Sequence, residues 1–296
     1  MAMSGADIAF VKMHGCGNDY IVLDGVARPE LANAEAPWRA RAREMCDRRT
    51  GIGADGVIVV SRGEGADDVR AEVVNSDGSP GGMCGNGIRM VAKLAIERGY
   101  VRTDRMTVEM GGRRVEVEGL RNGDGVVRRA RADMGRPVLE AARVPVDTAS
   151  LERAGEHCWT VRSGGVGHAM TFVSMGNPHA VMFVDASPGA AEVTRLGAML
   201  ERHDAFPERM NVHWARVVEP RIVEVATWER GAGMTMACGT GACAVCVAGA
   251  VRGLAERHVA VHMAGGVLNV RWDESSGCVW LGGPVAECFS GKWCAT

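Results

Sequence analysis

Short runs in which apolar and polar residues alternate cover much of the chain, and this period of two is typical of half-buried β-strands. In the first half the predicted strands are residues 8–13, 57–60, 70–74 and 106–118, the last turning back as a hairpin at Gly111 and Gly112. In the second half they are residues 170–173, 180–184, 212–218, 222–228, 258–262 and 267–272. The sequence therefore predicts a strand-rich protein.

Two longer segments carry the spacing of helices, and each follows a Cys-Gly-x-Gly sequence. The helix from Ala242 is apolar on every face, so we expect it to be buried all round. The helix from Ile88 keeps one polar stripe of Arg89, Lys93 and Glu97 at four-residue spacing, which favours ion pairing.

Two further helices, residues 38–48 and 190–202, are expected on the outside of the molecule. Strand-rich sequence wrapped on a buried helix predicts an α+β architecture rather than a doubly wound sheet. Each half then forms a sheet or barrel around a central helix.

The second half of the chain repeats landmarks of the first. CGNG begins at Cys84 and CGTG at Cys238, and 28 residues separate each cysteine from a paired glycine, Gly112 or Gly266. Each half also carries a Gly-Asn ahead of an apolar run, in GNDYIVLD and GNPHAVMFVD. Landmarks in one order with matched gaps indicate a duplicated domain. We expect a first half of residues 1–132, completed by 284–296, and a second half of residues 133–283.

Composition narrows the classes of partner. The 296 residues suffice for two ordinary domains, and the apolar and charged fractions, 47% and 24%, are those of a globular protein. A net charge of −2 gives no indication of a nucleic-acid or membrane partner. The start, MAMSGADIAF, lacks the pattern of a signal peptide, and the ten cysteines follow no disulfide framework. We expect free thiols in the cytoplasm, a small-molecule substrate and, as an open alternative, a homodimer.

A cysteine at a helix N-terminus lies beside unpaired backbone N–H groups and a partial positive charge. Such a thiol is expected to have a lowered pKa, and the same N–H groups can bind a carboxylate. Two thiols of this kind fit inversion at the α-carbon of an amino acid, where one removes a proton from one face and the other supplies a proton to the opposite face. The N–H groups stabilise the developing charge, so neither a metal nor a cofactor is expected.

The same residues allow three alternative interpretations. The spacing of Cys238, Cys243, Cys246 and Cys278 fits a plant-type iron–sulfur site, but two of these lie in a helical segment and have no counterpart in the first copy. Pyridoxal phosphate is disfavoured because only three lysines exist and none has an obvious phosphate-binding context. A redox sensor or solute-binding protein could use the two thiols as a disulfide switch.

Six motifs taken together resemble diaminopimelate epimerases. They are KMHGCGNDY, GIGADG, NSDGSPGGMCGNGIR, SMGNPH, FPERMN and WERGAGMTMACGTGAC, and the match runs from Lys12 to beyond Gly266. The resemblance implies two pseudo-symmetric halves with the site in the cleft between them. It also implies cofactor-independent interconversion of LL- and meso-diaminopimelate, on the route to lysine and peptidoglycan.

The resemblance also implies roles for individual residues. It matches Cys84 and Cys238 to the two acid–base thiols, and His179 and Glu229 to the polar partners that hold and tune them. The carboxylate cradle corresponds to Gly85, Asn86, Gly239 and Thr240. The groups that line the substrate correspond to Asn18, Asn75, Asn177, Asn211 and Arg230, the last facing the remote carboxylate.

The chain departs from the family pattern at three places. Met234 stands where glutamate is frequent, residues 80–82 replace an often acidic stretch, and Gly56 stands where some members carry glutamine. None of these positions belongs to the proposed acid–base pair. They leave a racemase for another amino acid, such as histidine, as an alternative.

Overall fold

Strands account for most of the regular structure in the computed structural model, which describes residues 7–33, 36 and 38–294. The expectation that no export signal begins the chain concerns residues that lie mainly outside this range. The chain forms two compact units, Met1–Ala132 with Gly283–Thr296, and Asp133–Gly282. No helix in the described part is both long and apolar enough to cross a bilayer.

The first unit builds its sheet from strands that include every one predicted for this half. They are β1 (Ile8–Gly15), β2 (Asn18–Asp24), β3 (Gly56–Arg62), β4 (Val69–Asn75), β5 (Pro80–Gly81), β6 (Arg105–Met110), β7 (Arg113–Arg121) and β8 (Val127–Asp133). The predicted hairpin is confirmed, because β6 and β7 are antiparallel and Gly111 and Gly112 both adopt positive φ in the turn.

The second unit likewise contains every strand predicted for its half. Its strands are β9 (Glu152–Gly155), β10 (Cys158–Ser163), β11 (Val166–Ser174), β12 (Pro178–Phe183), β13 (Asn211–Glu219), β14 (Ile222–Glu229), β15 (Gly233–Met234), β16 (His258–Met263), β17 (Gly266–Trp272) and β18 (Val279–Pro284). A last strand, β19 (Ala286–Trp293), belongs mainly to the first unit and pairs with β1.

Strand pairing repeats from unit to unit. In the first unit β2 lies parallel to β3 and β4 parallel to β6, whereas β1–β2, β3–β4 and β6–β7 are antiparallel. In the second unit β11 to β14, β16 and β17 pair with the same directions in the same order. The predicted α+β duplication is confirmed. In the first unit β19 stands antiparallel to β1 as β10 does to β11, so the C-terminal strand completes the first copy.

Each unit has one central helix, and the two helices match closely. α2 (Gly85–Glu97) and α4 (Gly239–Val251) both have 13 residues, begin one residue after a cysteine and end before an arginine. Each therefore starts three residues earlier than predicted, since the glycine sequence is itself the first helical turn. α4 is buried on nearly all sides, as its apolar sequence predicts.

The polar stripe of α2 is not a solvated face. Lys93 pairs with Glu97 as predicted, at 2.6 Å, but Arg89 and Lys93 are buried. The Arg89 guanidinium donates to the Gly85 carbonyl at 2.7 Å and to the side-chain oxygen of Asn86 at 2.6 Å. Burial is tolerated because these acceptors lie within reach of the long side chain.

Of the two outer helices, one is confirmed and the other is much shorter than expected. α3 (Ala190–Glu201) matches its prediction, but α1 (Ala42–Cys46) is a single short helix within the predicted 38–48. Trp38 is fully buried and donates from its indole to the Leu31 carbonyl, so this segment enters the core. Asp47 ends the helix because its carboxylate accepts the backbone N–H groups of the next turn.

We predict that Arg89→Met lowers the free energy of unfolding by about 3 kcal/mol, since buried acceptors would lose their charged donor. Arg98→Met, at the exposed end of the same helix, should change it by less than about 0.5 kcal/mol. Urea denaturation followed by circular dichroism compares the two variants. Equal effects would contradict a structural role for the buried guanidinium.

Candidate active site

The first thiol cluster consists of Asn18, Tyr20, Cys84 and Asn86. Cys84 is the residue preceding α2, and its Sγ accepts the backbone N–H of Gly87 at 3.3 Å. The Tyr20 hydroxyl lies 3.4 Å from the same sulfur, and the Asn18 side-chain oxygen lies 3.9 Å from it. The sulfur is thus held by the helix on one side and by β2 on the other.

A carboxylate behind this cluster fixes the orientation of Asn18. The Asn18 side-chain N–H donates to Asp55 at 2.6 Å, which turns its oxygen toward Cys84 and toward the Asn86 side chain, 3.4 Å away. Arg48 donates to Asp55 in turn, at 2.8 Å. Asp55 lies in GIGADG, one of the six motifs, but the resemblance assigns it no role.

A second acidic group stands beside Asp55. Burial by itself raises the pKa of Asp19, but hydrogen bonds from Arg48 and Lys12 lower that pKa to about 2. The buried Lys12 ammonium lies 2.5 Å from the Asp19 carboxylate and also donates to the Gly53 carbonyl. The base of β2 is therefore fixed by ion pairs on the side away from the thiol.

Tyr20 was missed by the sequence analysis, although the repeat contains the signal. In GNDY the tyrosine follows Asn18 by two residues, as His179 follows Asn177 in GNPH. Tyr20 pairs with the first residue of β3, and His179 with the first residue of β13. Burial, and then the neighbouring Cys84, raise the pKa of Tyr20, so the phenol stays neutral.

The second thiol cluster consists of Asn177, Glu229, Cys238 and Thr240. The Sγ of Cys238 accepts the backbone N–H of Gly241 at 3.4 Å and lies 3.7 Å from the Thr240 hydroxyl. The Asn177 side chain donates to that hydroxyl at 3.3 Å. The backbone at Cys238 has nearly the same φ and ψ as at Cys84, so both thiols occupy the same place on their helices.

The expected lowering of the thiol pKa is wrong for Cys238. Burial, and after it the negative charge of Glu229, raise the pKa of this thiol despite the opposing hydrogen bonds from Thr240 and Gly241. Desolvation of the thiolate outweighs the helix terminus because the side chain is almost fully enclosed. Cys238 is therefore a neutral thiol near pH 7. Glu229 accepts the Thr235 hydroxyl at 2.5 Å.

His179 contacts the Asn177 side chain of the second thiol cluster rather than the Cys238 sulfur. It is fully buried, with Nε2 3.0 Å from the Asn177 oxygen and Nδ1 2.9 Å from Nε2 of His213. Within the second unit it reaches Cys238 through Asn177 and Thr240. The sequence did not identify His213 either; the only signal was that it lies two residues after Asn211, at the start of the predicted strand 212–218.

Three of the residues predicted to line the substrate form hydrogen bonds within the protein. Asn211 donates to the Pro178 carbonyl at 2.7 Å and accepts the backbone N–H of Arg230 at 2.9 Å. The exposed Arg230 guanidinium donates to a backbone carbonyl at 2.7 Å. Asn75 donates to Ser79 in a turn at 3.0 Å. Their contact with substrate stays a prediction.

The cysteines of the iron–sulfur alternative do not form a metal site. Cys243 and Cys246 are buried along α4, as part of the hydrophobic packing of that helix. Among the residues that the structure describes, no group of three or more His, Cys, Asp or Glu side chains could hold a metal ion.

Comparison with known proteins agrees with the fold and with the sequence motifs. The family model for diaminopimelate epimerase matches residues 10–140 and 171–286. Diaminopimelate epimerases from Desulforudis audaxviator and Pelotomaculum thermopropionicum are both 43% identical to this chain, over 96% of its length and 98% of theirs.

Solved structures share the fold over the whole chain. A predicted epimerase from Pseudomonas aeruginosa superposes with a TM-score of 0.65 at 20% identity, covering 98% of this chain and 100% of that one. A hydroxyproline epimerase from Agrobacterium vitis gives a TM-score of 0.67 at 14% identity, covering 99% and 94%. Fold and relatives together define an isomerase of the epimerase class. The chain belongs to the diaminopimelate epimerase family.

The two buried histidines predict a loss of stability in acid. Burial lowers the pKa of His213 from 6.5 to about 3 and, with the neighbouring His213, lowers that of His179 well below its ordinary value. Their unfolded forms take up protons below pH 6.5 while the folded forms do not, so stability falls as pH falls. Between pH 7 and pH 5 each histidine should remove about 2 kcal/mol from the free energy of unfolding.

Urea unfolding at these pH values measures this loss in the wild type and two variants. His213→Ile should reduce the acid-dependent loss by about half, because one of the two neutral histidines is gone. The exposed His258→Gln is the control for the replacement of a histidine as such. An unchanged loss in His213→Ile would contradict a buried, neutral imidazole at this position.

Proposed function

We propose that this protein converts LL-diaminopimelate to meso-diaminopimelate by two-base proton transfer between Cys84 and Cys238. The observation that carries the proposal is that, in a member of the diaminopimelate epimerase family, each repeat places a thiol at the same N-terminal position of its central helix. A duplicated fold thereby supplies two similar acid–base groups, which is what inversion of one carbon requires.

The proton balance of the reaction is simple. One sulfur, as thiolate, takes the proton from the α-carbon, and the electron pair left on carbon is delocalised into the adjacent carboxylate. The other sulfur, as thiol, gives its proton to the opposite face. Substrate leaves inverted, and the two sulfurs have exchanged protonation states, so a proton must be redistributed before the next turnover in the same direction.

Backbone N–H groups at the helix termini supply the charge stabilisation. The first turn of a helix leaves N–H groups without helical partners, and Gly87 and Gly241 direct theirs at the sulfurs. The preceding residues, Gly85 with Asn86 and Gly239 with Thr240, have N–H groups available to bind the α-carboxylate. Fixed donors of this type stabilise an enolate-like charge, and the proposal needs no cofactor.

The surroundings of Cys238 suit the proton-donating half of the reaction. Its raised pKa keeps the proton on sulfur at neutral pH. In the opposite direction Glu229 can accept that proton, because its carboxylate interacts with this thiol. Removing the Glu229 charge would therefore alter both the ionisation of Cys238 and its role as a base.

Recognition of the far end of the substrate is assigned to Arg230. Its guanidinium is exposed and binds only one neutral carbonyl among its described partners, so it can also bind a carboxylate. Asn211 fixes the backbone of Arg230, while Asn18, Asn75 and Asn177 supply further amide groups for the substrate.

All ten cysteines are free, and we place the protein in the cytoplasm, where thiols stay reduced.

In D₂O, the purified and reduced protein should incorporate deuterium at the α-carbon of LL-diaminopimelate while forming the meso isomer. Histidine and lysine, each tested at the same concentration, should turn over at least about 100-fold more slowly, because they lack the distal carboxylate that Arg230 would bind. Mass spectrometry and chiral chromatography follow the reaction. Preferential turnover of histidine would show that histidine, and not diaminopimelate, is the substrate. If the protein exchanges the α-hydrogen of none of the three amino acids, the proposed function is wrong.

Replacing either thiol should strongly slow net inversion but should not remove every exchange of the α-hydrogen. We expect Cys84→Ala and Cys238→Ala to lose roughly 100- to 10,000-fold in turnover. Each variant should still exchange the α-hydrogen of one isomer, and the two variants should retain opposite isomers, because in the proposed mechanism each thiol serves one face of the carbon. Cys278→Ala is the matched control and should retain full turnover. Retention of the same isomer by both variants would refute the two-base assignment.

A further inference from the structure

A buried hydrogen-bonded chain of side chains leads across the second unit toward Cys238. It begins on β14, where the Thr227 hydroxyl lies 3.1 Å from Nδ1 of His213 on β13. Nε2 of His213 lies 2.9 Å from Nδ1 of His179 on β12. All three side chains are almost completely inaccessible to solvent, so each polar atom depends on its neighbour for a partner.

The chain continues from His179 to the sulfur. Nε2 of His179 lies 3.0 Å from the Asn177 oxygen, and the Asn177 amide nitrogen donates to the Thr240 hydroxyl at 3.3 Å. That hydroxyl lies 3.7 Å from the Cys238 sulfur. His213 thus stands two side chains behind the amide that contacts the second thiol cluster.

The order of donors follows from the Asn177 amide. Because its nitrogen donates to Thr240, its oxygen must accept, and the donor is the Nε2–H of His179. Burial keeps both histidines neutral, so each ring has one donor and one acceptor nitrogen. His179 then accepts at Nδ1 from the Nε2–H of His213, which accepts at Nδ1 from Thr227.

This order of donors determines which hydrogen bond the Cys238 sulfur can accept. With its oxygen lone pair occupied by Asn177, the Thr240 hydroxyl has its own proton free to donate to the Cys238 thiolate. If the hydrogen bonds ran in the opposite direction, the Thr240 hydroxyl would donate its proton to Asn177 instead of to the sulfur. The interaction with Thr240 indeed lowers the pKa of Cys238, opposing the larger effect of burial.

The first unit shows that the fold does not need this polar pair. By strand register, Ile58 occupies the position of His213, and Val73 occupies that of Thr227. A Cβ on Gly87 would overlap Ile58, and a Cβ on Gly241 would overlap the His213 ring, which confirms the equivalence. Replacing both partners of a buried hydrogen bond by apolar groups of similar shape can leave the stability of a fold nearly unchanged, so this pair points to a function.

We propose that His213 is a positioning residue: with Thr227 it holds His179 in the Nε2–H form, which directs the Thr240 hydroxyl at the Cys238 sulfur. Its effect on turnover depends on the proposed function, whereas its effect on the histidine tautomers does not. His213 would contact no substrate atom.

Nitrogen-15 NMR of histidine-labelled protein tests the tautomers directly. Both His179 and His213 should show the Nε2–H form and should not titrate between pH 8 and pH 5.5. Signals are assigned by their loss in His179→Asn and His213→Gln. An Nδ1–H form or an imidazolium at His179 would overturn the proposal whether or not the protein is active.

Kinetics of two further variants test the effect on the sulfur. The double variant His213→Ile with Thr227→Val copies the apolar pair of the first unit and should fold. It should lower kcat roughly 10- to 100-fold with KM changed by less than about threefold, since the misplaced group acts on proton transfer. His213→Gln keeps an N–H near the Nε2 position and should restore most of kcat.

The control is Val259→Ile on β16, which changes a buried side chain on another strand of the same unit. It should leave kcat unchanged. A folded double variant with wild-type kcat and unaltered His179 signals would overturn the proposal. If the wild type itself fails to epimerise diaminopimelate, the proposed function is lost, and the NMR result still decides the role of His213.

Discussion

The hydrogen bond from a backbone N–H to a cysteine sulfur, three residues apart, is the constraint on which both thiol clusters depend. It places Cys84 and Cys238 at helix N-termini with one backbone geometry. Glycine is favoured as the donor in each case, because a Cβ at Gly87 would lie 2.8 Å from Ile58 Cδ1 and a Cβ at Gly241 would lie 2.3 Å from the His213 ring. A strand therefore fixes the helix start, and the helix start fixes the sulfur. This coupling explains why the glycines and the thiol occur together in both repeats.

Duplication kept this constraint and let its surroundings diverge. At equivalent strand positions the first unit places Tyr20 and Asn75 where the second places His179 and Glu229. The sulfur of the first unit therefore lies beside a neutral phenol, and that of the second interacts with a carboxylate. The two thiols that we propose as acid and base are thus held by one backbone geometry but differ in electrostatic environment.

The C-terminal strand shows how the duplication was accommodated in one chain. In the second unit β10 precedes β11 and pairs with it, but in the first unit the corresponding partner of β1 is β19, which lies near residue 290. An antiparallel partner can come from any part of a chain that returns to the sheet edge. The first unit therefore takes one of its strands, β19, from residues far from the rest of that unit in sequence.

The sequence by itself determined β1, β3, β4, β6 and β7 in the first unit and β11 to β14, β16 and β17 in the second, but not the remaining strands. It also determined the central helices except for their first turn, the repeat, and the placement of Cys84 and Cys238, because these depend on local periodicity and on turn chemistry. Its six motifs also indicated the family that the comparisons show. Only the tertiary structure decided that Trp38 and Arg89 are buried, that the Cys238 thiol has a raised pKa, and that His213 supports His179. Burial and pairing of this kind depend on strands and loops distant in sequence, and a single chain's pattern carries no record of which of them meet.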